Sequence, residues 1–100
     1  MSSPKEPAGS RLRTSRNVVS RVVADEAVVV PIRSGVGDLD SIYTFNGTGT
    51  VLWQMLEAGE SVDVLSRYLQ QEFGISEDQA NADLEAFLLE LAEENLTEQV

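Results

Sequence analysis

Carboxylates are the side chains of this sequence that could do chemistry. The 100 residues include seventeen Asp and Glu side chains but no cysteine and no histidine. Without those two residue types, disulfides, thiolate nucleophiles, histidine general bases and the usual zinc ligand sets are excluded. Carboxylate pairs can still act as acids and bases or hold a hard cation, but such sites need several polar groups converging in a cleft. A chain this short has little room for one, so we expect no enzyme, no cofactor and no metal.

One carboxylate pair has a spacing found in cation sites. Asp38 and Asp40 form an Asp-x-Asp within residues 34–40, which read as a loop because they are rich in Ser, Gly and Asp. The other ligands and the closing glutamate of a calcium-binding EF-hand loop are missing. The pattern therefore predicts a turn and not a calcium site.

Charge is divided unevenly along the chain. Five of the seven basic residues lie in the first 21 positions, where Glu6 is the only acid, and this stretch has a net charge of +4. The remainder has a net charge of −14, and the whole chain −10. Such an anionic surface repels phosphate backbones and attracts a basic peptide or a basic groove. We therefore expect no nucleic-acid partner.

The first seventeen residues are predicted to be a disordered basic tail. They are rich in Ser, Pro, Gly and charge, and they contain no apolar block longer than one residue. The apolar core of a secretory signal is missing, and Asp25 and Glu26 interrupt the only valine-rich region before it approaches the length of a membrane helix. We expect a cytoplasmic protein with no membrane partner.

Three β-strands followed by three helices are predicted for the rest of the chain. β-Branched and aromatic residues mark strands at 18–23, 27–33 and 41–46, with a turn at Asp25-Glu26 and a break in pairing at Pro31. Tyr43 and Phe45 share one face of the third strand, which we place in the core. Short loops favour an antiparallel meander that leaves this strand at an edge, where it is either covered or available to another strand.

Caps and glycines mark the ends of the helices. The first helix covers residues 51–56, after Asn46 as its candidate cap, and ends at Gly59. Ser61 caps the second helix, which Gly74 ends. Ser76 and Gln79 form a capping box at the start of the third, residues 76–94. Together these elements predict an α+β domain whose helices cover one face of a small sheet, and the second and third helices have helix-turn-helix spacing.

The third helix has one apolar stripe and one acidic face. Its apolar residues recur with helical spacing: Ala80, Leu84, Phe87, Leu88 and Leu91. Its opposite face carries carboxylates, including Asp78 and Glu93. A partner that contacts this helix therefore encounters negative charge.

The order and spacing of these residues resemble the PqqD family of peptide-recognition domains. The resemblance covers residues 18–97 and rests on Phe45-Asn46, Gly49, Val51 to Trp53, Gly59, Leu65, Leu69, Glu72-Phe73, Asp83-Leu84, Phe87-Leu88 and Leu91. Phe45 replaces the usual Leu of the family pattern, and Leu52 the usual Ile. The resemblance implies that residues 18–100 form a winged-helix-like domain with a three-stranded antiparallel sheet followed by three helices.

The resemblance also implies a function. Such a domain lacks catalytic activity and binds the leader segment of a ribosomally made precursor peptide as an extra antiparallel strand on the third strand, against the third helix. It then presents the peptide to a separate modifying enzyme. For the peptide-binding residues we predict a set from both walls of that groove: Ile42, Tyr43, Thr44, Asp83, Phe87, Glu90 and Leu91. Phe87 and Leu91 can instead be plain core residues, since both lie on the apolar stripe, and Asp83 an internal hydrogen-bond partner.

Two other functions remain open at this point. A winged-helix DNA-binding regulator would have the same helix-turn-helix spacing, but its third helix would offer carboxylates to the major groove. An acidic protein–protein interaction module would bind through its charged face without using the strand edge. We expect a monomer or a weak dimer.

Overall fold

The computed structural model describes residues 12–33, 36–37 and 42–99. Its strands are β1 (Leu12–Thr14), β2 (Val18–Val23), β3 (Glu26–Arg33), β4 (Val36–Gly37), β5 (Tyr43–Asn46) and β6 (Thr97–Gln99). Its helices are α1 (Thr48–Glu57), α2 (Val62–Phe73) and α3 (Glu77–Glu93). The predicted turn at Asp38 and Asp40 and residues 1–11 of the predicted tail lie outside the described residues.

β3 is the centre of the main sheet. It pairs antiparallel with β2 on one side, from Val18 opposite Pro31 to Val23 opposite Glu26. Ala24 and Asp25 form the two-residue turn between them, with φ of 52° and 67°, the left-handed values that a type I′ hairpin turn requires. The predicted turn at Asp25-Glu26 is therefore wrong by one residue, because the register makes Glu26 the first residue of β3.

β5 and β4 share the other side of β3. β5 pairs with Glu26 to Val29 of β3, and β4 pairs with Ile32 and Arg33. Pro31 falls between these two ladders. The Ile32 N–H donates to the Asn17 carbonyl on the β2 side, over 2.7 Å. Since successive backbone groups of a strand point to opposite sides, the backbone nitrogen of Pro31 points away from β2. On that side Pro31 belongs to neither ladder, so its missing N–H costs no ladder bond. The break in pairing expected at Pro31 is confirmed on that side.

Local caps determine where α2 and α3 begin. The Ser61 hydroxyl accepts the Val64 N–H at 3.2 Å, and the Ser76 hydroxyl accepts the Gln79 N–H at 3.1 Å. Gly74 ends α2 in the left-handed conformation. Two predictions about caps are wrong. Gly47, not Asn46, occupies the N-cap position of α1, and the Gln79 side chain donates to Asp83 over 2.8 Å instead of returning to Ser76.

The core lies between the helices and one face of the main sheet. Its buried apolar side chains are Ala27, Val29, Phe45, Leu52, Trp53, Leu56, Leu65, Leu69, Ala80, Leu84, Leu91 and Leu96. Since strand side chains alternate between faces, the inward residues of β3 and β5 contribute to this core and their neighbours point outward. The helices thus cover one face of the sheet, as predicted.

β1 and β6 form a separate two-stranded ribbon that the sequence analysis did not predict. Arg13 lies opposite Glu98 in the register, with 3.5 Å between their charged groups. The Arg16 N–H donates to the same carboxylate over 2.8 Å, and this bond, with the two nearby guanidinium charges, lowers the pKa of Glu98. The disordered tail predicted for residues 1–17 is therefore wrong for Leu12–Thr14, which are ordered by pairing with the far end of the chain.

The predicted fold class is confirmed as an α+β domain in which an antiparallel sheet is followed by three helices. The predicted three strands correspond to β2, β3 and β5, and the two-residue β4 joins the same sheet beside β3. The narrower winged-helix description stays a prediction. Among the described helices, none has both the length and the apolar content needed to cross a membrane.

Candidate functional site

β5 has one free edge, and a groove follows it. Within the described residues, β5 pairs with β3 alone, so its other side keeps unpaired backbone N–H and C=O groups. A cavity of about 510 Å³, here called the edge groove, contacts every residue from Ile42 to Asn46. Phe87 and Glu90 of α3 form its second wall, and Glu26 and Gly49 complete the lining. The groove therefore lies between a strand edge and a helix.

Aromatic rings form the floor of the edge groove. Phe45 is 8% exposed, and its ring centre lies 5.1 Å from that of Tyr43, 5.6 Å from that of Trp53 and 5.6 Å from that of Phe87. Tilted and offset contacts at these distances are favourable for aromatic pairs. Tyr43 and Phe87 are only half-buried, so this cluster offers apolar surface to whatever enters the groove.

The start of α1 holds β5 in position. A Cβ atom on Gly49 would lie 3.2 Å from the Cβ of Phe45, so the close approach of α1 to β5 depends on glycine there. The buried Thr50 hydroxyl accepts the Ala27 N–H at 3.2 Å and donates to the Phe45 carbonyl at 2.9 Å. Thr50 thereby joins α1 to both β3 and β5, which fixes the strand that carries the free edge.

One polar contact crosses the groove from strand to helix. The Tyr43 hydroxyl donates to the Glu90 carboxylate. Burial raises the pKa of Tyr43 to about 12, with further contributions from this hydrogen bond and from the negative charges of Glu90, Glu94 and Glu93. Tyr43 is therefore a neutral donor at physiological pH.

The edge groove carries negative charge. Glu26 and Glu90 are its charged lining residues, and no Lys or Arg is among the described residues that line it. Glu93 and Glu94 lie close enough to act on the same tyrosine. Carboxylates at the rim of a groove attract cationic ligand groups and repel anionic ones. The site consequently favours an extended ligand with apolar and basic side chains.

A second cavity, here called the helix pocket, adjoins the edge groove. Its volume is about 400 Å³, and it shares Gly49 and Phe87 with the edge groove. Its other lining residues are Thr48, Leu52, Leu69, Phe73, Ile75 and Asp83. The two cavities therefore meet at Gly49 and Phe87.

The structure brings together five of the seven residues predicted to bind a ligand. Ile42, Tyr43, Thr44, Phe87 and Glu90 all line the edge groove.

The other two predicted residues lie elsewhere. Asp83 is exposed on α3, lines the helix pocket and accepts a hydrogen bond from Gln79. Leu91 is completely buried, so a ligand cannot reach it. The prediction for Leu91 is wrong because a residue one turn after Phe87 points about 40° further around the helix, into the core.

Sequence reasoning missed four residues of the groove. Phe45 was placed in the core, and it lines the groove as well. Glu26 was assigned to the hairpin turn, and only the register of β2 with β3 places it next to Asn46. Asn46 was interpreted as a helix cap. Gly49 gave a signal, since it belongs to the motif shared with the PqqD family, but nothing in the sequence indicated its contact with Phe45.

Comparison with protein families finds one that extends over most of the folded chain. The family model described as "Coenzyme PQQ synthesis protein D (PqqD)" matches residues 26–96. The match begins at the first residue of β3 and ends just before β6, so it includes the whole edge groove from Glu26 to Glu90. A search of curated proteins found no match.

Two solved structures are similar to the chain. One is described as "TbiB1 in Complex with the TbiA(beta) Leader Peptide", with 26% sequence identity, a TM-score of 0.74, and coverage of 86% of this chain and 94% of that one. The other is described as "Lasso peptide synthetase B1 complexed with the leader peptide", with 20% identity, a TM-score of 0.73, and coverage of 89% and 99%. The second likeness shows the fold alone.

Proposed function

The chain belongs to the PqqD family, and from this premise we propose that it is a non-catalytic, cytoplasmic adaptor for a ribosomally synthesised precursor peptide. It captures the leader segment of the precursor as an added antiparallel strand on β5, beside α3. It then presents the peptide to a separate modifying enzyme. The likeness to a protein bound to its leader peptide supports this proposal.

The observation that carries the proposal is the free edge of β5 inside a groove. The edge groove contacts five consecutive residues, Ile42 to Asn46, so its long direction follows the strand. An extended peptide placed there meets the unpaired backbone groups of β5 on one side and Phe87 and Glu90 on the other. This arrangement is typical of β-strand addition, in which backbone bonds supply affinity and alternate side chains supply specificity.

Backbone pairing alone does not hold such a peptide. Ordering about six residues costs on the order of 6 to 12 kcal/mol, whereas four or five ladder hydrogen bonds return about 0.5 to 1.5 kcal/mol each. Two or three apolar side chains, at about 1.5 to 3 kcal/mol each, have to make up the difference. The half-buried rings of Tyr43 and Phe87 are the surfaces in the groove that can receive them.

The two other functions considered from sequence are not favoured. A regulator that inserts α3 into the major groove would bring the carboxylates of that helix against phosphates. An acidic module that binds through charge alone does not explain why the groove follows the edge of β5 or why its floor is aromatic. The match to the PqqD family supports neither alternative.

The test is an amide chemical-shift titration of the isotopically labelled protein with the leader segment of a candidate precursor peptide. We expect the largest shifts at Ile42 to Asn46 and around Phe87 and Glu90. Shifts confined to the far side of α3, around Glu85 and Leu89, would instead indicate a different docking surface. Binding of duplex DNA without binding of any leader would overturn the proposal.

A shuffled leader with the same composition and charge provides the control. Strand addition with side-chain selection predicts that the shuffled peptide binds at least tenfold more weakly, about 1.4 kcal/mol. Equal binding of both peptides would indicate that charge alone drives the interaction.

A further inference from the structure

The face of the main sheet that points away from the helices, here called the outer face, is apolar and uncovered by any described element. Alternation along the strands and the register between them assign its members. Its apolar residues in the strands are Val19, Val23, Val28, Val30 and Ile32, and Ile42, which directly precedes β5, continues the alternation of that strand. Contacts agree with this assignment, because a Cβ on Gly37 would lie 3.4 Å from Val30 and 3.9 Å from Ile32, which places both on one face.

Much of this surface is open to solvent. Val19 and Val23 are each 55% exposed, and Ile42 is 45% exposed. Val28, Val30 and Ile32 lie on the central strand β3, and each of them is half-buried. A group of six neighbouring β-branched side chains on a flat sheet differs from the single exposed apolar residues that any protein surface shows. Contiguous apolar patches of this kind mark protein–protein contacts.

The charge of the outer face distinguishes it from the rest of the molecule. Arg21 and Glu26 are its charged residues by alternation, and together they carry no net charge. The chain as a whole has a net charge of −10, and α3 alone contributes six carboxylates and no cation. A partner attracted by negative charge is therefore directed to the helices and not to the outer face.

We propose that the outer face is a self-association surface, on which a second copy of this chain packs sheet against sheet. A two-fold contact places the same apolar and uncharged surface on both sides, which makes it self-complementary. It also keeps the acidic helices of the two copies on opposite outer sides, where their repulsion is weakest. Sheets packed in this way lie about 10 Å apart. This proposal goes beyond peptide capture and does not depend on it.

The dimer contact meets the peptide site at one rim. Phe87 and Glu90 line the edge groove from the helix side of the sheet, whereas Glu26 and Ile42 line the groove and also belong to the outer face. Each copy therefore keeps the wall formed by α3, and the contact reaches the groove at Glu26 and Ile42.

Sedimentation velocity over a wide concentration range tests the proposal on the unmodified chain. We expect the average mass to rise from one chain towards two as the concentration increases, and the dimer to tighten when salt screens the repulsion between anionic copies. Val19→Lys, which places a charge within the contact, is expected to raise the dimer dissociation constant by about tenfold or more. Val19→Thr, which keeps the β-branched shape, is expected to raise it less.

Leu89→Lys is the matched control, because Leu89 is 59% exposed but lies on α3. The Leu89→Lys variant should leave the dimer dissociation constant unchanged. Thermal melts followed by circular dichroism should show a cooperative unfolding transition for every variant. The proposal is overturned if the wild-type chain keeps the mass of one copy at every concentration. It is equally overturned if Leu89→Lys weakens association as much as Val19→Lys does.

Discussion

β2 and β5 are the two edge strands of the same sheet, and they differ in what lies beside them. Each pairs only with β3 among the described residues. β5 has α3 alongside, so its free edge becomes one wall of a groove that contacts five consecutive residues. The cavity of about 480 Å³ near β2 touches that strand at Val22 alone. An exposed edge thus becomes a specific binding site where a second element supplies side chains for a ligand to meet.

The largest effect is expected from breaking the floor of the β5 groove. Phe45→Ala removes a buried ring that contacts Tyr43, Trp53 and Phe87, and should lower the free energy of unfolding by about 3 to 5 kcal/mol. Val23→Ala on β2, where the side chain is 55% exposed, should cost less than about 1 kcal/mol. Urea denaturation at low protein concentration measures both values. Similar losses would mean that the two edge strands are equally integrated into the core.

Phe87→Ala should separate binding from folding. Phe87 is half-buried and lines both cavities, so its loss should weaken leader binding about tenfold to hundredfold, the value of one apolar anchor. Leu88→Ala is the matched control, since Leu88 is also half-buried but lines a cavity on the far side of α3. Isothermal titration calorimetry gives the affinities. Unchanged binding by a folded Phe87→Ala protein would remove this residue from the site.

Charge in the groove should have a smaller effect. Glu90→Gln removes a carboxylate but keeps an acceptor for the Tyr43 hydroxyl, and should weaken binding of a leader that carries Lys or Arg a few-fold at low salt. Glu85→Gln makes the same change on the far side of α3 and should have no effect. Fluorescence anisotropy at two salt concentrations measures both variants. Identical behaviour of the two variants would show that only overall charge matters.

The smallest effect concerns pH. The pKa of Tyr43 is raised to about 12 in the folded chain, whereas an unfolded tyrosine titrates near 10. The folded state thus holds its proton more tightly, so this stabilisation is complete below pH 10 and is lost as pH rises from about 10 to 12. Tyr43→Phe should flatten that part of the stability curve, measured by thermal melting. A wild-type curve with the same slope as the mutant would contradict the raised pKa of Tyr43.

Elements with local causes could be predicted from the sequence. Ser61, Ser76 and Gly74 determine helix ends through hydrogen bonds and backbone angles within a few residues, so α2 and α3 were predicted closely. The strand pattern around Tyr43 and Phe45 identified the edge strand for the same reason. The alternation of apolar and polar residues there is a property of the segment itself.

Features that depend on distant partners could not be predicted. β1 has one apolar residue in three and exists because β6, more than eighty positions later, pairs with it. The one-residue error at the hairpin turn arose because the register is determined by packing and not by turn propensity. Likewise, the apolar stripe of α3 contains both Phe87 and Leu91, and only the position of β5 decides that the first faces the groove and the second the core.

The most direct test of strand addition is a backbone N-methyl scan of the bound leader. Each N-methyl group removes one N–H donor and leaves the side chains unchanged. A peptide paired with the free edge of β5 should lose affinity strongly when every second residue is methylated, since alternate N–H groups of a strand point to the same neighbour. This pattern should be confined to the peptide segment that changes the amide chemical shifts of Ile42 to Asn46. A uniform loss, or none, would contradict the claim that β5 acts as the template for the peptide.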